Sequence, residues 1–97
     1  MITIKIAKNF KDKLIGLMFK KHIDYGLLLL NVKSIHTFFM LDAIDVIGLD
    51  ENFIVVEKHF NIIPNKIIFL KKSTHTLELP KYYSKNYKIG EKVNITN

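Results

Sequence analysis

Ile2, Ile4 and Ile6 alternate with Thr3 and Lys5, and this period of two predicts a half-buried strand. The period then changes. Phe10, Leu14, Leu17 and Met18 recur at spacings of four, three and one, which places them on one face of a helix. Asn9 can cap that helix with Asp12 three residues on, and both suit its positive end. Gly16 lies inside the pattern, where it weakens a helix by about 0.5–1 kcal/mol relative to alanine. Close packing or an early end to the helix would account for it.

Residues 20–25 are polar and lead to Gly26, a turn signal. Residues 27–30 form a continuous apolar run, which suits a strand covered on both faces or a buried helical turn. After a connection at residues 31–34, the aromatic and β-favouring run 36–40 predicts a strand, and residues 43 or 44 to 49 predict another. Asp50, Glu51 and Asn52 make a polar turn into residues 53–60, completing a hairpin. Pro64 and Asn65 mark a further turn, followed by a short strand at 67–70 and a loop at 71–73. Thr74, Thr76 and Glu78 then alternate with His75, Leu77 and Leu79, the second set facing inward and the first outward. Pro80 stops that strand. Residues 81–87 suit a helical turn in which Tyr83 and Tyr87 share a face, and residues 92–95 return with Val93 and Ile95 inward.

The predicted fold class is mainly β, or α+β by content, in one domain over residues 1–97. The architecture expected is a small antiparallel β-sandwich or barrel-like domain with one N-terminal helix and a short C-terminal helical turn. No βαβ unit is expected.

Composition changes this picture only a little. The 97 residues, 48% apolar, suffice for one core. There is no cysteine, which removes disulfides, cysteine–zinc sites and thiol nucleophiles together. The net charge of +6 comes from lysine alone, since the chain contains no arginine. Lysine is a mobile point charge without the planar two-pronged contact that guanidinium makes to phosphate or guanine. Weak, salt-sensitive binding to polyanions is therefore expected, with a small ligand or a protein as the specific partner. The first residues lack the pattern of a signal peptide, and run 27–30 is far short of the roughly 20 apolar residues that span a bilayer. A soluble, cytoplasmic protein without a membrane span is expected.

Six segments carry a recognisable pattern in order: Gly16-Leu17-Met18-Phe19-Lys20, Gly26-Leu27-Leu28-Leu29, then Ile35-His36-Thr37-Phe38-Phe39-Met40 and Ile44-Asp45-Val46-Ile47-Gly48-Leu49-Asp50, and finally Leu77-Glu78-Leu79-Pro80 with Ile89-Gly90-Glu91-Lys92-Val93. In these the chain resembles domain of unknown function family 192. The resemblance implies a small β-rich fold of sandwich type with short helices, and no particular activity. Lys20, Leu28, Gly48 and the Leu41-Asp42-Ala43 segment depart from the family pattern.

Candidate chemistry centres on His36 and Asp45, an imidazole and a carboxylate on neighbouring predicted strands that could form an acid–base pair. Phe38 and Met40 would wall a pocket there, with Thr37 beside them and Met18 at the rim. The structural alternative is that His36 caps a strand end and Asp45 fixes a turn. If Asp45 is buried it must find donors or shift its pKa upward. No metal site is expected, because His36, His59 and His75 lack the close ligand spacing that zinc uses. His75, on the apolar face, reads as a satisfied core histidine. Ser34, Thr37, Ser73 and Thr74 lie outside any nucleophile-elbow context, and the isolated glycines form no phosphate loop, so no cofactor is expected. Glu78 could pair with Asp45, but its outward face favours a lysine partner. The leading expectation is a non-enzymatic binding module with a cleft near His36 and Asp45. One alternative is a nucleic-acid-associated protein using its lysines and the segment from Tyr82 to Tyr87. The other is an enzyme with a His36–Asp45 pair.

Overall fold

Leu77 and Leu79 belong to the core, as their alternation requires, but so do Thr76 and Glu78, which are 0% and 4% exposed. Their strand lies at the centre of the fold, and both of its faces are covered. In the computed structural model, residues 2–95 are described, along with every side chain among them except that of Phe10. The helix-face position expected of Phe10 lies outside the described side chains. Along the chain the elements are β1 (Thr3–Ala7), α1 (Phe10–Ile15), β2 (Tyr25–Leu29), β3 (Ser34–His36), β4 (Ile44–Leu49), β5 (Val55–Ile62), β6 (Ile67–Phe69), β7 (His75–Pro80) and a 3-10 turn, Tyr83–Asn86. Among the described residues the strands form a five-stranded sheet, in the order β1-β2-β7-β4-β5, and a two-stranded sheet of β3 and β6.

The mainly β class holds, but the large sheet is mixed rather than purely antiparallel. β1 pairs parallel with β2, from Thr3 opposite Tyr25 to Ala7 opposite Leu29. Residues 8–24 join them, more than the dozen or so that a parallel crossover needs. That crossover contains α1, so a short βαβ connection exists where none was expected. The N-terminal helix expected through Met18 does not form. α1 stops at Ile15, and Gly16 takes φ 54° and ψ −123°, a conformation that only glycine adopts readily. Leu14 is left 55% exposed while Leu17, beyond the helix, is buried. The cap itself is as expected, with Asp12 N–H donating to Asn9 Oδ1 at 2.8 Å.

The other faces follow from register. Leu27 and Val46 lie opposite Glu78 on either side, and Leu29 and Gly48 lie opposite Thr76. This face joins Ile44, Ile35, Met40 and Leu70 in one core cluster, roofed by the small sheet. On the other face Leu28, Ile47, Leu77 and Leu79 form a second cluster, with Tyr83, Tyr87 and Ile95 packed against it. Residues 92–95 form no strand; Lys92 makes one bridge to Ile54, and Val93 is buried as expected.

The strand expected at residues 36–40 also gives way. β3 ends at His36, and Phe39 turns at φ 63°. Thr37 sets that turn: its hydroxyl donates to Ile63 O and accepts from Lys66 N–H, each at 2.8 Å. The hairpin of β4 and β5 forms as expected, and Asp50 Oδ1 accepts from Asn52 and Ile54 N–H in its turn.

Gly48 is required by close approach. A Cβ placed there would lie 1.8 Å from Ser73 Oγ and 2.5 Å from Glu57 Cγ. Gly48→Ala is expected to destabilise the fold by about 1–3 kcal/mol through overpacking, and adding Ser73→Gly should recover part of the loss. Urea midpoints at constant m value measure both; an unchanged midpoint for Gly48→Ala would contradict the packing.

Candidate functional site

A pocket of about 320 Å³ opens between the C-terminal end of α1 and the small sheet. Leu14, Ile15, Ile35, Phe38 and Ile67 make it apolar, while Lys13, Ser34, His36 and Glu78 supply its polar groups. Glu78 reaches it from β7 because residues i and i+2 of a strand share a face, and the Glu78 face is the one under the small sheet.

The Glu78 carboxyl is the unusual group. Its Oε1 is buried and has no hydrogen-bond partner among the described residues. Neither the outward position nor the lysine partner expected for Glu78 is found. Burial pushes its pKa from 4.5 up to about 8. A shift of that size corresponds to roughly 5 kcal/mol against ionisation in place, so near neutral pH the group is mostly the uncharged acid. Gly16 is packed against it, since a Cβ there would lie 2.9 Å from Oε1. Both reasons offered for Gly16, close packing and an early helix end, therefore apply.

His36 ties the pocket's walls together. Phe38 N–H donates to its Nδ1 at 3.2 Å, so its Nε2 carries the proton and donates to Leu14 O at 3.2 Å. Its ring stacks on Phe38 with centroids 5.3 Å apart. The imidazole is thus a latch between α1 and β3 rather than a free base.

The remaining residues expected at the site lie elsewhere. Met40 is buried in the core, Thr37 is occupied with its turn, and Met18 is half-buried outside the pocket lining. Asp45 faces the opposite side of the large sheet, opposite Leu79. β5 carries an extra residue there, since Ile44 pairs with Ile62 but Val46 with His59. The bulge frees the amide of Asn61, which donates to Asp45 Oδ1 at 2.8 Å. Ser84 gives Asp45 Oδ2 two more bonds, from its N–H and its hydroxyl. Asp45 therefore staples the bulge to the 3-10 turn, and the pairing with His36 is not made.

His75 accepts from Asn31 N–H and stacks on Phe53 with centroids 5.0 Å apart. Burial lowers its pKa, with the charge of Lys13 adding to that and Asp50 opposing it. A further polar cluster joins Glu57 to Ser73 Oγ at 2.6 Å and to His59 Nε2 at 2.9 Å. Burial raises the Glu57 pKa, but the donors Ser73, His59 and Lys72 N–H outweigh it and hold the group low. Its carboxylate sits between serine and histidine, so the imidazole of His59 bonds the carboxylate rather than the Ser73 hydroxyl, and no serine–histidine dyad is formed. Tyr83 and Tyr87 pack on the core, which leaves Tyr82 as the exposed tyrosine of its segment. Among the described residues no three of His, Asp and Glu cluster as a metal site, and no helix is long and apolar enough to cross a membrane.

Glu78 was missed because strand alternation alone cannot show that both faces are covered. The one signal available was its place between Leu77 and Leu79 in a segment that also carries the family resemblance.

Comparison with known proteins agrees with that resemblance. The model of domain of unknown function family 192, described as "Uncharacterized ACR", matches residues 1–96. The UPF0127 protein of Pyrococcus horikoshii is 46% identical over 59 residues, covering 56% of this chain and 51% of that protein. The match thus spans about half the length of that curated relative. A crystal structure of a protein of unknown function from Novosphingobium aromaticivorans superposes with a TM-score of 0.87 at 18% identity, covering 97% of this chain and 75% of that one. Another, of a protein from Sinorhizobium meliloti described as a candidate transcription regulator, gives 0.82 at 18% identity, covering 94% and 79%. At these identities the two structures show the fold alone.

The buried acid has a consequence for stability. Between pH 4.5 and about 8 the unfolded chain has released the Glu78 proton while the folded chain keeps it. The Glu78 contribution is therefore full below pH 4.5 and lost as pH rises through about 8. Stability of the wild type relative to Glu78→Gln should fall by up to about 1.4 kcal/mol per pH unit across that window. Urea denaturation of both proteins at several pH values measures this, and a flat difference would contradict it.

Proposed function

This chain belongs to domain of unknown function family 192, and on its geometry we propose that it is a non-enzymatic binding module whose small ligand occupies the pocket over Glu78. The observation that carries this reading is the buried, unpartnered Oε1 of Glu78 at a pocket that is otherwise mostly apolar. A buried polar atom without a partner costs about 1–3 kcal/mol. An apolar side chain at that point would avoid the cost, so a carboxyl there is better explained by something that enters and bonds to it. Pockets of roughly 300 Å³ and above, apolar with a few convergent polar groups, are the usual form of a small-ligand site.

The reading keeps His36 and Phe38 from the cleft expected from sequence and replaces Asp45 with Glu78. Catalysis is the weaker reading. Both His36 nitrogens are engaged, and no second carboxylate lines the pocket. Three of the segments that carry the family resemblance supply Gly16, Ile35, His36, Phe38 and Glu78 to this one place, which supports a role for the pocket across that resemblance. The nucleic-acid reading rests on dispersed lysines and Tyr82, with Tyr83 and Tyr87 already packed on the core.

A panel of single-ring aromatic and branched aliphatic molecules, titrated against the isotope-labelled protein by NMR, tests the proposal. The amide signals of Gly16, Ser34, Ile35 and Phe38 should move together, while those of Val93 and Ile95 on the far side stay still. Ile67→Trp, at the 55% exposed mouth, should reduce the response without altering the fold. Shifts scattered over the surface, or none at millimolar concentrations, would count against it.

A further inference from the structure

The geometry points to a ligand that docks an acyl oxygen, the carbonyl of an amide or an oxygen of a carboxylate, on the Glu78 carboxyl while an apolar body fills the pocket. This rests on the binding reading above and names the chemistry that the site would recognise.

Three features carry it. First, the polar groups of the pocket are unequal in what they can offer. His36 has spent its N–H on Leu14 O and its acceptor on Phe38 N–H, so Glu78 is the buried group left free to bond a ligand. Second, the surroundings keep Glu78 in its acid form. Its neighbours across the sheet, Leu27 and Val46, are apolar. The titratable groups that line the pocket with it are Lys13 from α1 and His36 from β3. Neither makes an ion pair with it, and burial is what holds its pKa at about 8. A protonated carboxyl in an apolar site is a hydrogen-bond donor, as in enzymes that keep a buried acid neutral to bond a carbonyl oxygen. Third, charge opposes the other choice. A cationic ligand would have to pass Lys13, approach a chain of net charge +6, and shed its hydration among Leu14, Ile35 and Phe38. An ion pair would also require Glu78 to release its proton to solvent. An acyl oxygen requires none of this, and Lys13 favours a carboxylate approaching the mouth.

The apolar body has a natural place. Leu14, Ile35, Phe38 and Ile67 form the walls, and the Phe38 ring, stacked on His36, adds an aromatic group to that apolar lining. A pocket of about 320 Å³ holds a body of one ring or a short branched chain.

Four probes of similar size separate the possibilities by calorimetry or NMR titration: benzamide, benzoate, benzylamine and toluene. Benzamide and benzoate should bind more tightly than toluene, and benzylamine least. Because Glu78 must donate, benzamide affinity should fall about tenfold from pH 7 to pH 9 as a group with a pKa of about 8 ionises. Glu78→Gln, which keeps a donor of the same shape, should retain binding and lose the pH dependence. Glu78→Leu, checked for folding by circular dichroism, should bind benzamide no better than toluene. Salt and Lys13→Ala should weaken benzoate alone, which tells a carboxylate source from an amide. Tightest binding by benzylamine, rising with pH, would overturn the assignment and leave the pocket standing as a cation site. Equal binding of toluene and benzamide would overturn it as well, leaving an apolar pocket. Failure of all four probes on the folded protein would overturn the binding reading itself.

Discussion

Strand β7 lies between β2 and β4 and is covered on both faces, and the rest of the molecule is arranged to meet that condition. Along such a strand every side chain must be accommodated in the interior, whichever way it points. Leu77 and Leu79 meet the condition directly by joining one core cluster. His75 meets it with a hydrogen bond from Asn31 N–H, and Thr76 by donating to Val32 O. Glu78 does not, since its Oε1 has no partner among the described residues. The small sheet of β3 and β6 exists to cover this face, and the pocket is the part of that cover left open. Fold and candidate site are thus two results of one burial requirement.

The same logic distinguishes Glu78 from the other buried or half-buried acidic groups. Asp45 is fully buried too, but it takes the amide that the β5 bulge releases and both donors of Ser84. Glu57 is held by Ser73, His59 and Lys72 N–H. Each of these carboxyls is tied into the scaffold, and removing either would loosen structure rather than open a function. Glu78 Oε1 has no such tie among the described residues, which is why the functional reading rests on it. Gly16 and the His36 latch then explain how the chain holds a wall against a carboxyl without bonding to it.

The sequence showed the elements better than their layering. The hairpin of β4 and β5, the apolar run of β2, the cap at Asn9 and the inward His75, Leu77 and Leu79 follow from periodicity and turn chemistry. The failures are all tertiary effects that a local pattern does not register. Periodicity describes one face at a time, so the outer face of β7 read as solvent-facing when a second sheet was to cover it. The aromatic run at residues 36–40 read as strand because β propensity cannot see that Thr37 will bond to Ile63 O and Lys66 N–H and bend the chain. The N-terminal helix was overextended because Leu17 fits a helical face as well as it fits the loop that places it in the core. His36 and Phe38 line the pocket, whereas the carboxylate beside them was sought on the next strand in sequence. Glu78, brought near by sheet order, lies outside the reach of any local pattern.

The central claim is that Glu78 is a neutral acid at the edge of a ligand pocket. Titration of its side-chain carboxyl carbon by NMR, in protein labelled at glutamate and assigned through Glu78→Gln, tests this most directly. The account expects a midpoint near pH 8, far from the usual 4.5, moving upward when benzamide is bound. A midpoint in the ordinary carboxylate range would mean that Glu78 meets solvent or a cation, and would contradict the account.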